Sequence, residues 1–146
     1  MNVRRWGVRL GRLSLVAGLG LFAVGAAPTR AEAFRWALVA EQVVEQLEQA
    51  LAARRAGDAD QARQALLTAY FGVFEDRKME AALRKELGQT HTVEVEARFN
   101  DLRKAITARA APAEMAEKVL ALSEILRKDA LALDAQGVPE QVYVGR

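Results

Sequence analysis

The sequence predicts an all-α protein, an antiparallel up-down bundle of four helices that follows a cleaved signal peptide. Apolar residues recur at helical spacing in four segments, and short turns that contain glycine or proline separate these segments. The chain also begins with a basic stretch followed by an uncharged one. Because each segment is apolar on one side only, the segments can bury those sides only against one another.

The N-terminal 33 residues have the three parts of a secretory signal peptide. Basic residues extend to Arg12, residues 13–27 carry no charge, and an Ala-Glu-Ala run ending at Ala33 supplies the small residues of a cleavage site. The uncharged stretch is shorter than the roughly 20 apolar residues of a membrane-spanning helix. We therefore expect cleavage after Ala33 and a periplasmic domain of residues 34–146, with an uncleaved membrane anchor as the alternative.

The charge balance of the mature part argues against a nucleic-acid partner. The whole chain has 21 basic and 19 acidic residues, but five arginines and one glutamate lie upstream of the expected cleavage site, which leaves a net charge near −2. Nucleic-acid-binding proteins present a clustered basic face instead. A small-molecule substrate is not indicated either, because the chain contains no glycine-rich phosphate loop.

The inventory of reactive side chains argues against an enzyme. The chain has no cysteine and one histidine, His91, which excludes thiol chemistry and metal centres that need several histidines. Ser123 is the only serine of the mature part, and it lies in the middle of a predicted helix with no histidine near it in sequence.

The four helices are predicted at residues 35–56, from Asp58 or Asp60 to about residue 87, at about 90–109, and after Pro112. Gly57 and Gly88 suit the left-handed conformation that ends a helix, and Gly137 closes the last one. One core shared by all four helices is expected to contain Val43, Leu66, Val73, Phe99, Leu102, Val119, Leu122 and Leu126.

Carboxylates are the remaining side chains with metal chemistry, because their hard oxygens suit iron, calcium, magnesium or manganese. Glu41, Glu45 and Glu48 form a stripe on the first helix, which is most simply a solvated face. His91 and Glu94 are three residues apart and could share a metal on one helix face. A surface or capping role for His91 is the alternative.

A second group of acidic residues follows the aromatic residues of the second helix. On an unbroken helix, Glu75 and Glu80 would point about 140° apart. They would converge only if the helix broke near Asp76, which could then cap the next helix. On the third helix, Glu96 and Arg103 are two turns apart and lie on the same face.

This part of the chain resembles the N-terminal extracytoplasmic domain of bacterial high-affinity iron permeases, over roughly residues 40–130. The resemblance rests on Ala69-Tyr70-Phe71, Phe74-Glu75, Met79-Glu80, Val95-Glu96 and Leu102-Arg103-Lys104-Ala105-Ile106. It implies a helical bundle linked to iron uptake, with Glu75, Glu80 and Glu96 as iron ligands. It further implies Arg103 as a charge partner and Tyr70 as a packing or hydrogen-bonding neighbour. We expect His91 to be at most a supplementary ligand.

The chain contains neither the membrane helices nor the Arg-Glu-x-x-Glu motif of those permeases. We therefore expect an accessory module that presents iron to a separate membrane permease or to another inner-membrane uptake component. The alternative is a structural or interaction module that docks a membrane partner without binding metal. In that case the same acidic residues form ion pairs within the bundle.

Overall fold

The computed structural model describes residues 35–140, and this part of the chain is all-α. It contains five α-helices and one π-helical segment: α1 (Arg35–Arg55), α2 (Ala59–Leu67), the π segment (Thr68–Glu75), α3 (Met79–Glu86), α4 (Gln89–Thr107) and α5 (Pro112–Ala135). The predicted all-α class is therefore confirmed. The predicted signal peptide and its cleavage site lie outside the described residues.

The turns between helices use the residues that the sequence indicated. Gly57 ends α1 with a φ of 81°, and the Asp58 side chain caps α2 by accepting a hydrogen bond of 2.9 Å from the Gln61 amide. Gly88, with a φ of 98°, separates α3 from α4. Pro112 is the first residue of α5. The N–H groups at the start of a helix have no partner within the helix, so the lack of an N–H at Pro112 costs no hydrogen bond.

The second predicted helix is not continuous, so the count of four helices needs correction. After the π segment the chain turns at Lys78, which has the left-handed φ of 63°, and α3 begins at the next residue. The Lys78 amide donates to the Glu75 carbonyl at 2.9 Å, which closes this turn. The break near Asp76 thus exists, but Lys78 rather than Asp76 stands at the N-cap of α3, and no side chain caps it.

The wider turns of the π segment change which of its residues face the core. In an α-helix, Val73 would follow Leu66 on the same stripe, two turns later. The π segment instead forms hydrogen bonds between residues five apart, and its buried residues are Ala69 and Phe74, five apart. Val73, predicted in the core, is therefore only partly buried and packs against the edge of the core.

One hydrophobic core joins all of these helices. The other seven predicted core residues are buried in it: Val43, Leu66, Phe99, Leu102, Val119, Leu122 and Leu126. Ser123 is buried as well, and its hydroxyl donates to the Val119 carbonyl at 2.7 Å. None of the helices within residues 35–140 is long and apolar enough to cross a membrane.

The first turn of helix α1 is bound to the last turn of α5. The backbone amides of Trp36 and Ala37 each donate to one carboxylate oxygen of Asp134, both at 2.9 Å. The buried Trp36 indole donates through Nε1 to the Val138 carbonyl at 2.6 Å. Asp134 therefore caps the start of a helix that is almost 100 residues away in sequence.

The predicted carboxylate stripe of α1 is exposed along its length. Glu41 nevertheless accepts two hydrogen bonds from Arg127 of α5, at 2.7 Å to Nε and 2.9 Å to Nη2. These bonds keep the pKa of Glu41 below its ordinary value. Glu41 thus links α1 to α5 on the surface, whereas Glu45 and Glu48 are solvated as the simpler interpretation predicted.

Candidate functional site

The break at Lys78 decides how the predicted acidic residues are placed. Glu75 is the last residue of the π segment, and Glu80 is the second residue of α3. The left-handed turn between them changes the direction of the chain, so the 140° separation calculated for one continuous helix no longer applies. Helix α3 packs against α4, which carries Glu96.

Arg84 lies between two of the three predicted ligands. Its Nη2 atom contacts a carboxylate oxygen of Glu80, one turn earlier on α3, and lies 3.4 Å from a carboxylate oxygen of Glu96. The Glu80 side chain is only 16% exposed. The two carboxylates are therefore close neighbours, held by a single guanidinium group that crosses from α3 to α4.

Tyr70 connects this pair to the third predicted ligand. The pKa of Tyr70 is raised to about 12, first by burial, then by the negative charges of Glu96 and Glu75, and by a hydrogen bond with Glu75; Arg84 acts in the opposite direction. The phenol is therefore protonated at neutral pH. Tyr70, Glu75, Glu80, Arg84 and Glu96 form one group, which we call the carboxylate cluster.

Aromatic rings hold Tyr70 in place beside the cluster. Its ring centroid is 4.9 Å from that of Phe71 and 5.1 Å from that of Phe99, with near-perpendicular rings in both pairs. Such edge-to-face contacts are a favourable geometry for aromatic pairs. The role of Tyr70 as a packing or hydrogen-bonding neighbour of iron ligands stays a prediction.

The predicted charge partner of Glu96 needs correction. Arg103 donates to the side-chain oxygen of Asn100, at 3.1 Å from Nε and 2.7 Å from Nη2, and the guanidinium beside Glu96 belongs to Arg84. Glu80 and Arg84 are four residues apart, a spacing that favours an ion pair on a helix, so the sequence alone could have indicated this pair. Its contact with Glu96 depends on how α3 and α4 pack.

His91 lies on the first turn of α4, and its ring binds α5 rather than the carboxylate cluster. Its Nε2 atom is 2.7 Å from Oδ2 of Asp129, a residue that is buried. Sequence reasoning missed Asp129, although it falls on the apolar stripe of Leu122, Leu126 and Leu133. A charged residue on such a stripe is a recognisable signal of a buried polar contact.

The His91–Asp129 pair gives a pH-dependent prediction. Burial raises the pKa of Asp129, and the hydrogen bond and charge of His91 only partly oppose this effect. A carboxyl group with a raised pKa in the folded state stabilises the fold most below its unfolded pKa of about 3.9, and that contribution is lost as the pH rises through the folded pKa. Asp129→Asn keeps an acceptor for His91 and removes the charge. The difference in melting temperature between Asp129→Asn and the parent should therefore become more positive as the pH increases from about 4 to about 7.

Thermal melts of both proteins across this pH range test the expectation. Asp101→Asn is the matched control, because Asp101 is exposed and contacts only the neighbouring Lys104 in the described part of the chain. A variant at Asp129 that melts well below the parent at pH 7, while the control does not, would mean that the ionised pair stabilises the fold.

An apolar groove lies directly beside the carboxylate cluster, between the α2–π unit and α4. It has a volume of about 400 Å³ and is bordered by Glu96 at one end and Thr107 at the other. Its apolar wall is formed by Leu66, Leu67, Tyr70, Phe71 and Phe99. We refer to this feature as the aromatic groove.

Among residues 35–140, no three histidine or acidic side chains are already arranged to hold a metal ion. In the carboxylate cluster, the guanidinium of Arg84 lies where the oxygens of Glu80 and Glu96 approach each other. The chain has no detectable similarity to a family model, a curated protein or a solved structure. The resemblance to iron permease domains therefore stays a hypothesis.

Proposed function

We propose that the mature chain is an exported, periplasmic accessory module that binds iron through carboxylates and presents it to a separate membrane permease. The observation that supports this proposal is the carboxylate cluster, in which Glu75 and Glu96 lie beside Tyr70, and Glu80 and Glu96 lie beside Arg84. We also propose that α1, the α2–π–α3 unit, α4 and α5 alternate in direction as an antiparallel four-helix bundle. The contacts between the start of α1 and the end of α5 support that arrangement.

The charge of the cluster favours a cation. The cluster contains three carboxylates and one guanidinium, which lies beside Glu80 and Glu96, so the group carries excess negative charge while its side chains are partly buried. Like charges in such a place repel one another unless a cation compensates them. All of the available donor atoms are oxygens, which suit iron and other hard cations.

In this proposal Arg84 competes with the incoming iron. The guanidinium occupies Glu80 and Glu96 when no iron is bound, and iron replaces it as the cation between them. Binding also requires deprotonated carboxylates, so affinity falls as the solution becomes acidic. The exposed position of the Arg84 side chain, which is 46% accessible, allows it to move into solvent without leaving a buried charge.

The substitution Glu96→Gln tests the proposal. It removes one ligand charge from the cluster and should weaken iron binding at least about tenfold, equivalent to about 1.4 kcal/mol. The melting temperature of the iron-free protein should change little, because the contact of Glu96 with Arg84 is long and partly exposed. Calorimetric or spectroscopic iron titration at neutral pH, with parallel thermal melts, measures both quantities.

Two further variants sharpen this test. Glu94→Gln makes the same chemical change on the exposed side of the same helix and should leave iron affinity unchanged. Arg84→Gln removes the competing guanidinium and should raise the affinity. A parent protein that binds no iron in a buffer free of competing chelators would refute the metal site.

The second candidate is a structural or interaction module that docks a membrane partner without metal. The observation that favours it is the guanidinium of Arg84, which already neutralises part of the charge of Glu80 and Glu96. Under this alternative, Glu96→Gln lowers the melting temperature because Arg84 loses a partner, and neither protein binds iron. The same pair of measurements therefore distinguishes the two functions.

A further inference from the structure

The aromatic groove has the size of a site for a small elongated ligand. From Glu96 to Thr107, helix α4 rises about 16 Å along the groove, at 1.5 Å per residue. The groove has a volume of about 400 Å³. The volume itself lies in the range of small-molecule sites.

The wall of the groove leaves large apolar side chains in contact with solvent. Phe71 is 56% exposed and Leu67 is 39% exposed. Phe71 contacts the ring of Tyr70, which in turn contacts Phe99, so the aromatic wall is held by packing before any ligand arrives. Covering these side chains with an apolar chain would remove their surface from water, which is favourable.

The polar edge of the groove presents one cation without an acidic partner. Arg103 is exposed and donates only to the neutral amide oxygen of Asn100 in the described part of the chain. The other arginine at this edge, Arg63, is paired with Asp60 at 3.0 Å. Glu96, at the opposite end, is close to Arg84. At this edge of the groove, Arg103 is therefore a cation whose charge is not compensated by an acidic side chain in the described part of the chain.

We propose that the aromatic groove binds a free fatty acid, with its carboxylate at Arg103 and its unbranched chain along Phe99, Tyr70 and Phe71. An arginine binds a carboxylate through two parallel hydrogen bonds, and Asn100 holds this guanidinium in a defined position. The apolar wall formed by Phe99, Tyr70 and Phe71 then packs along the chain. The groove shares Tyr70 and Glu96 with the carboxylate cluster, but fatty-acid binding at Arg103 does not require iron.

The experiment is a calorimetric titration of the protein with decanoate, below the concentration at which decanoate forms micelles. Decanol supplies the same chain without the charge, and butyrate supplies the charge with a short chain. Decanoate is expected to bind saturably and more tightly than either. Arg103→Gln should weaken decanoate binding about tenfold, which corresponds to about 1.4 kcal/mol. The same substitution should leave decanol binding unchanged.

Matched variants separate the contributions of charge and wall. Lys104→Gln removes a neighbouring exposed cation that is paired with Asp101, and it should bind decanoate as the parent does. Phe71→Ala changes an exposed side chain and should weaken decanoate and decanol alike. Circular dichroism confirms that each variant is folded.

Three results would overturn the proposal. Equal affinity for decanoate and decanol would mean that Arg103 does not bind the carboxylate. Absence of saturable decanoate binding would mean that the groove is not a site for such ligands. Dimerisation of the parent in sedimentation, abolished by Phe71→Ala, would mean that a second copy of the chain covers the groove instead.

Discussion

Replacing Leu102 by alanine is expected to lower the free energy of unfolding by about 2–5 kcal/mol. Leu102 lies on α4 and has no exposed surface within the described structure. Alanine would remove buried apolar atoms and leave a cavity that the surrounding helices fill only in part, and both effects destabilise the fold. Denaturant unfolding of the mature domain, analysed for both proteins with a common slope, measures the difference.

Leu120→Ala provides the matched control for this measurement. Leu120 lies on α5 and is 58% exposed, so the same chemical change should cost less than about 0.5 kcal/mol. If Leu102→Ala cost as little as the control, Leu102 would be on the surface in solution and the apolar stripe of α4 would be wrongly assigned.

Asp134→Ala should produce the second large loss, about 2–3 kcal/mol in the free energy of unfolding. The Asp134 carboxylate accepts hydrogen bonds from the backbone amides of Trp36 and Ala37, both at 2.9 Å. A hydrogen bond to a charged group contributes about 1.5–3 kcal/mol, and a negative charge at a helix N-terminus adds a favourable interaction with the helix dipole. Both contributions disappear together, and they are not additive because they share one side chain.

Chemical denaturation and hydrogen exchange of the first turn of α1 test this prediction. Asp101→Ala is the control, since Asp101 is exposed on α4 and contacts only Lys104 in the described residues, and it should change stability by no more than about 0.5 kcal/mol. If Asp134→Ala changed the free energy of unfolding as little as the control, the amides of Trp36 and Ala37 would be forming hydrogen bonds with water instead. The cap would then contribute nothing measurable.

Only part of the carboxylate cluster could be predicted from the sequence. Spacing and resemblance pointed to Glu75, Glu80 and Glu96, but the sequence left open whether the helix breaks near Asp76. The residue that joins Glu80 to Glu96 is Arg84, whereas Arg103 contacts Asn100. Two residues on one helix face have a predictable separation, but a contact between α3 and α4 depends on how the helices dock.

By itself, the sequence determined the helical class, most helix ends and nearly all of the core, because these depend on local properties. Apolar spacing selects the buried face, and Gly57, Gly88 and Pro112 end or begin helices through their backbone preferences. Only the tertiary structure decided the π register that turns Val73 toward the surface, the Asp129 partner of His91, and the capping of α1 by Asp134. These features depend on contacts between residues distant in the chain, and their energies exist only once the helices have packed.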